Sequence, residues 1–369
     1  MATDFNALRL KYQGYSDKLE EVLQQECREK CAKKLNETLT HDDFKFPSLA
    51  LAEMCTSDAV ADVHAGMIPE GRTVLDMTAG LGIDDFHFAR KGCRVTAIEL
   101  DSKAAIVLNA NIKSLGLSDL IEVINADSVE WLHTHPGHFD VIYVDPARRD
   151  ATGRHFSFSQ CLPDITRCMG LLQTRCDTLM IKASPMIDIA SGMLQLGVTE
   201  NCDITIIGTT GECKEVVFSI GKGSQNKIRC VTVGKSTYEL TPGNSFTIFK
   251  LTPTPGQWLQ QPYPAVMKSG GNVAGLKLHT NTHLYVSDDL DSNFPGQHYS
   301  ILEVLPFNKR IIKDLAKSHP KINVATRNFP ISAPELAKRL KVKDGGDKMV
   351  FGVTLWDESR WLIITSMAE

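Results

Sequence analysis

From Arg72 onward, five short runs rich in β-branched and aliphatic residues (TVLDMTA, RVTAIEL, IEVINAD, FDVIYVD and TLMIKAS) alternate with stretches of helical periodicity. Strands buried on both faces read as near-continuous apolar runs, and parallel neighbours need crossovers long enough for a helix. The alternation therefore predicts a parallel sheet with helices on both sides. Two further runs, CDITIIGTT and KEVVFSIG, are separated by too few residues for a helical crossover and predict an antiparallel hairpin at the sheet edge. The expected core is a Rossmann-like, doubly wound α/β sheet of seven strands over residues 71–221.

The flanks read differently. Between Ser16 and about Leu39, Leu19, Val22, Leu23 and Cys27 recur at helical intervals amid charges, and Phe46 to Val63 is a second helical stretch, so residues 1–70 are expected to form a helical module. After Gly221 the chain is punctuated by Gly and Pro and leans towards β through about His298, a connecting subdomain over 222–298. From Tyr299 the order is strand (SILEV), helix (NKRIIKDLAKS), strand (INVATR), helix (SAPELAKRL) and a hairpin turning at Asp357 and Glu358. This order predicts a compact α+β unit over 299–369.

Composition narrows the function classes. The N-terminus lacks a basic segment followed by an apolar stretch, and no run of about 18 apolar residues could span a bilayer, so a soluble cytoplasmic protein without membrane contact is expected. The ten cysteines lack C-x2-C pairs; Cys27 and Cys31, one helical turn apart, would make half a metal site with no second half, so no metal is expected. Residues 299–369 carry 12 Lys and Arg against 8 Asp and Glu, net +4, while the rest of the chain is net -8. A basic end on an acidic chain fits a polyanionic partner such as RNA, and also fits ordinary surface variation.

The first strand runs into Gly80-Leu81-Gly82 and then a helix, where small residues let backbone amides approach a ligand. Any strand-to-helix turn can look like this. Two further acids add weight: Glu99 ends the next strand, 17 positions beyond Gly82, where a carboxylate accepts from ribose hydroxyls, and Asp127 follows the third strand, where it can accept from an adenine amino group. Asp127 or Ser128 also serves as a helix cap. Asp76 closes the first strand; a carboxylate there repels a pyrophosphate but suits an ammonium, and the loop lacks a third glycine, so S-adenosylmethionine (SAM) is the expected cofactor rather than a dinucleotide. Thr78 and Asp84, beside the glycines, are assigned to the same site.

The fourth strand ends in Asp145-Pro146-Ala147-Arg148-Arg149-Asp150, where the methyl acceptor would meet the sulfonium. Methyl transfer from an activated donor needs alignment, exclusion of water and handling of one proton, and Asp145 is the expected contact to the acceptor. It would also border the cofactor. Arg148, Arg149 and Arg154 beside it suit phosphates, or else form a solvated loop with salt bridges. Lys182, in LMIKAS, and Glu215, opening the last strand, complete an Asp, Lys, Glu set in which a lysine of lowered pKa could deprotonate a hydroxyl acceptor; a structural ion pair is the alternative.

With the motifs DMTAGLGID, AIELD, NADS and DPARR in order, residues 72–221 resemble class I SAM-dependent methyltransferases. DMTAGLGID resembles the loop of ribosomal RNA guanine-N2 methyltransferases, whose fourth motif is Asp or Asn, Pro, Pro and an aromatic; here Ala147 replaces the second proline and Arg148 the aromatic. The whole chain, with its PYPAVMKSGG segment and terminal GGDK hairpin, is similar to bacterial methyltransferases that end in a THUMP-like domain. That resemblance implies an RNA substrate, transfer or ribosomal. Asp145, Lys182 and Glu215 resemble three positions of the Lys-Asp-Lys-Glu tetrad of ribose 2'-O-methyltransferases, with no first lysine before Asp76. The expectation is an RNA methyltransferase; a small-molecule or protein methyltransferase and a non-catalytic SAM- and RNA-binding protein are the alternatives.

Overall fold

The computed structural model describes residues 3–148, 157–240, 245–270 and 273–367. The chain divides into two compact units, one of Met1–Ile207 with Lys214–Ile228, the other of Gly208–Cys213 with Arg229–Glu369.

The first unit opens with four helices: α1 (Phe5–Lys11), α2 (Ser16–Cys31), α3 (Leu49–Met54) and α4 (Asp58–Met67). Strands and helices then alternate as expected: β1 (Thr73–Asp76), α5 (Ile83–Arg90), β2 (Arg94–Glu99), α6 (Ser102–Ser114), β3 (Ile121–Asn125), α7 (Ser128–Thr134) and β4 (Phe139–Val144). Two short strands, β5 (Ala147–Arg148) and β6 (Cys161–Leu162), pair antiparallel. The unit continues with α8 (Ile165–Arg175), β7 (Cys176–Ala183), α9 (Ile189–Gln195), β8 (Cys202–Gly208) and β9 (Cys213–Gly221). Aspartates start several helices: Asp101, Asp127, Asp164 and Asp188 each cap the following helix by accepting from its first-turn amides, which sets where strand gives way to helix.

The sheet runs β3-β2-β1-β4-β7-β9-β8 across this unit. Neighbours from β3 to β7 are parallel and β9 is antiparallel to β7. The last hairpin therefore does not simply cap an edge: β9 is inserted between β7 and β8, which makes Glu215 an interior position. Strand order reverses between β1 and β4, and in such sheets the ligand crevice lies at the carboxyl ends beside the reversal. Val74, Leu75, Ile98, Ile142 and Leu179 are fully buried in the strands, with Phe86 and Phe88 of α5 beneath them.

The second unit contains β10 (Ile228–Thr232) and β11 (Ser236–Glu239), an antiparallel pair. Then come β12 (Phe246–Ile248), β13 (Trp258–Pro262), α10 (Pro264–Lys268), β14 (Gly275–Lys277), β15 (Tyr285–Ser287), β16 (Gly296–Pro306), α11 (Lys309–Ser318), β17 (Asn323–Arg327), α12 (Ala333–Leu340), β18 (Lys348–Thr354) and β19 (Arg360–Met367). One sheet, β12-β14-β15-β13-β16-β19-β18-β17, joins the strands from β12 onward. The boundary expected at 298/299 falls inside β16, which pairs with β13 on one side and β19 on the other, so the two segments share a sheet. Successive residues alternate between faces: Phe351, Val353 and Ile363 pack with Leu259 and Tyr299, whereas Val350, Leu362 and Ile364 pack under Leu315, Leu336 and Leu340 of the helices.

Candidate active site

At the carboxyl ends of β1, β2 and β4 lies a cavity of about 390 Å³, within the range of small-molecule sites. Asp76, Thr78, Gly80, Gly82, Asp84, Glu99, Asp127 and Asp145 all line it, so every residue assigned from the sequence to the cofactor meets one space. Ile98, Leu100 and Leu81 give it apolar walls, and Leu51, Met54 and Thr56 bring in the N-terminal helices. Leu162 and Pro163 also reach it, through the β5–β6 pairing that extends the Asp145 strand.

Several of these side chains first shape the site itself. Glu99 accepts from the Gly80 amide at 2.8 Å and the Asp101 amide at 2.7 Å, tying the glycine loop to the end of β2. Gly82 has φ +81°, and a Cβ there would overlap Leu108, so both its conformation and its packing require glycine. Asp127 accepts from the Val129 and Glu130 amides through Oδ1, the capping role read from the sequence. Thr78 joins the two halves: its amide donates to Asp76 at 2.7 Å, and its hydroxyl accepts from the Asp145 amide at 2.8 Å.

The acids separate by environment. Asp76 is 2% exposed; burial pushes its pKa up, the Thr78 amide pulls it down, the charges of Asp84 and Asp145 push it up again, and it ends at about 7. Asp85 is wholly buried and neither carboxyl oxygen meets a conventional donor. Burial and the neighbouring Asp76 hold the Asp85 carboxyl well above the usual carboxylate range.

Asp84 sits instead in a buried charge cluster that also gathers Asp145, Lys182 and Glu215. Lys182 Nζ donates to Asp145 Oδ2 at 2.7 Å and to Thr56 Oγ1 at 2.9 Å, and lies 3.3 Å from Glu215 Oε2. The Thr56 hydroxyl donates to Asp84 Oδ2 at 2.7 Å. His64 closes the circuit, with Nδ1 at 2.7 Å from Asp84 Oδ1 and Nε2 bonded to Glu215 Oε1. The sequence suggested a Lys182 of lowered pKa acting as a base, and the structure corrects this. Burial does oppose its charge, but Asp145, Glu215 and Asp84 more than compensate and raise its pKa, so Lys182 stays an ammonium. The Arg148 side chain, Arg149 and Arg154, expected to bind phosphate, lie outside the described residues.

Sequence reasoning passed over His64 and Thr56. His64 sits in DAVADVHAGM, an apolar helix where a histidine reads as filler, and its partner Glu215 is 151 positions away. The available signal was that the buried face of α4 places His64, with Asp58, among Val60, Ala61 and Ala65.

Residues 56–151 match the family model described as "Putative SAM-dependent methyltransferase", residues 296–367 the "THUMP domain-like" model and residues 258–295 a "ferredoxin-like domain". The crystal structure of a "putative methyltransferase" from Porphyromonas gingivalis W83 superposes with a TM-score of 0.83 at 26% identity, covering 97% of this chain and 91% of that one. The first unit has the methyltransferase fold. Among curated proteins, the chain is similar to ribosomal RNA small subunit methyltransferase J of Laribacter hongkongensis, 38% identical over 89 residues, and of Francisella philomiragia, 34% identical over 116 residues. These alignments take in 22% and 29% of this chain and 31% and 48% of the relatives, so the chain spans less than half the length of either. The second unit ends in a THUMP-like domain. No helix among the described residues is long and apolar enough to cross a membrane, and no group of His, Cys, Asp and Glu among them is placed to hold a metal.

Proposed function

We propose that this chain is a SAM-dependent methyltransferase that acts on RNA, with Asp145 positioning the acceptor atom. The observation that carries the reading is the junction at Thr78, which ties Asp145 to the floor of the same cavity that Gly80, Glu99 and Asp127 line.

The residues fit the cofactor. The cavity has apolar walls for an adenine, Asp127 and Glu99 at the ends of β3 and β2 for its amino group and the ribose hydroxyls, and Asp76 for an ammonium. Asp76, with a pKa near 7, is a carboxylate that a cation would complete. When bound, SAM supplies an electrophilic methyl group on a sulfonium.

The protein's own part is alignment. Lys182 holds Asp145 through Oδ2, while Asp145 Oδ1 has no partner among the described residues and can accept from an acceptor N–H or O–H. Because Lys182 remains protonated, Asp145 or water takes the acceptor's proton. RNA is favoured by the ribosomal RNA relatives, the THUMP-like match and the net positive charge of residues 299–369.

Transfer to a ribose 2'-hydroxyl is a second reading, favoured by the clustering of Asp145, Lys182 and Glu215. The test is transfer of labelled methyl from SAM to RNA from cells lacking the gene, with wild type and Asp145→Ala in parallel, followed by digestion to nucleosides. Label with wild type only supports the proposal, and its place on base or ribose separates the two readings. SAM binding without labelled RNA would redirect the search to proteins and small molecules, or to a non-catalytic role.

A further inference from the structure

His64 does not line the cavity; of its two carboxylate partners, Asp84 lines it and Glu215 does not. His64 is fully buried on α4, between Asp84 of α5 and Glu215 of β9, with the Tyr143 hydroxyl of β4 at 3.4 Å and Lys182 of β7 beyond Glu215. Each ring nitrogen meets a carboxylate oxygen. Carboxylates only accept, and a neutral imidazole has one N–H and one lone pair, so only the doubly protonated ring satisfies both contacts. Burial works against that charge, but Glu215 and Asp84 outweigh it and push the pKa up to about 9.

From this imidazolium two arms reach the same ammonium. One passes through Glu215 to Lys182. The other runs through Asp84 and the Thr56 hydroxyl to Lys182. Lys182 in turn bonds Asp145, the half-exposed carboxylate at the acceptor end.

We propose that His64 is a positioning residue for methyl transfer: as a buried imidazolium it fixes Glu215 and Asp84, these fix Lys182, and Lys182 holds Asp145 towards the acceptor. The inference rests on the methyltransferase reading and assigns to a residue outside the cavity the control of how the enzyme responds to alkaline pH. Deprotonation would set a lone pair against a carboxylate, slackening both arms while leaving Glu99 and Asp127 untouched.

The test is nitrogen NMR of the full chain labelled in histidine, set beside the pH profile of methyl transfer. The expected spectrum has one ring with both nitrogens protonated at pH 7.5, absent in His64→Gln, titrating near pH 9, and the wild-type kcat falls over the same interval. In His64→Gln, kcat at pH 7.5 drops about 10- to 100-fold, the alkaline limb disappears, and SAM affinity stays within about threefold. Thr56→Val, which removes one hydroxyl and cuts only one arm, lowers kcat in the same direction by less, and serves if His64→Gln does not fold. A neutral ring at pH 7.5, unchanged kcat in both variants, or parallel loss of kcat and SAM binding would overturn the positioning role. Wild-type protein that binds SAM but transfers no methyl would instead overturn the function on which it rests.

Discussion

Asp84 and Asp85 are neighbours on α5, both buried, and their surroundings push their pKa values in opposite directions. Asp84 faces His64, Lys182 and Thr56, and despite burial these hold its pKa below the ordinary carboxylate range. Asp85 faces the carboxylate of Asp76, and burial with that neighbour pushes its pKa up. One step along the helix thus separates a carboxylate locked into a charge cluster from a carboxyl whose pKa is raised beside the expected cofactor site. Burial sets the cost of charge in both regions; the partner decides whether it is met.

The sharpest way to break this contrast is to remove the cation from the charged region. Lys182→Met leaves Asp145, Asp84 and Glu215 with His64 as the remaining cation in contact with them among the described residues, and denaturant unfolding should show a loss of about 3–5 kcal/mol. A loss below about 1 kcal/mol would mean that the cluster is more solvated than its burial implies.

Raising the pH should have a similar but smaller effect on the same region. His64 has a folded pKa of about 9 against an ordinary 6.5, so its contribution is fully present below about 6.5 and is lost as pH rises through 9. Stability measured from pH 7 to 10 should fall by about 2.5 kcal/mol more in wild type than in His64→Gln. Parallel curves would contradict the imidazolium.

The paired acids should respond in the acid direction instead. Asp76 has its pKa raised to about 7, so a cation binding beside it must displace a proton below that pH. SAM affinity should weaken by up to about tenfold per pH unit below 7, with proton release approaching one at pH 6 when calorimetry is run in two buffers. Affinity independent of pH between 6 and 8 would place the ammonium elsewhere. Asp85→Asn, smallest of all, replaces a carboxyl of raised pKa with a neutral amide and should change stability by less than about 1 kcal/mol.

Much of the first unit was legible because its signals are local. Apolar runs ending in Asp76, Glu99, Asp127 and Asp145 mark strand ends, and the carboxyl ends of a parallel sheet bring such residues together whatever the loop details. Asp145, Lys182 and Glu215 could be grouped for the same reason. The protonation pattern was not legible, because it depends on which face of α5 each aspartate presents and on α4 delivering His64 against β9. The insertion of β9 between β7 and β8 was equally hidden, since a short connection fixes the direction of a hairpin but not which of its strands joins the sheet. In the second unit, Gly and Pro punctuation suggested a break at 298/299, and β16 crosses that point while pairing with β13.

The most direct test of the account is calorimetric titration of SAM into wild type, Glu99→Ala and Asp145→Ala, because it separates the cofactor end of the cavity from the acceptor end. The account predicts a single site in wild type, affinity weakened at least about tenfold by Glu99→Ala, which loses charged hydrogen bonds, and affinity within about threefold of wild type for Asp145→Ala. Equal affinity in all three proteins, or no binding by wild type, would contradict it.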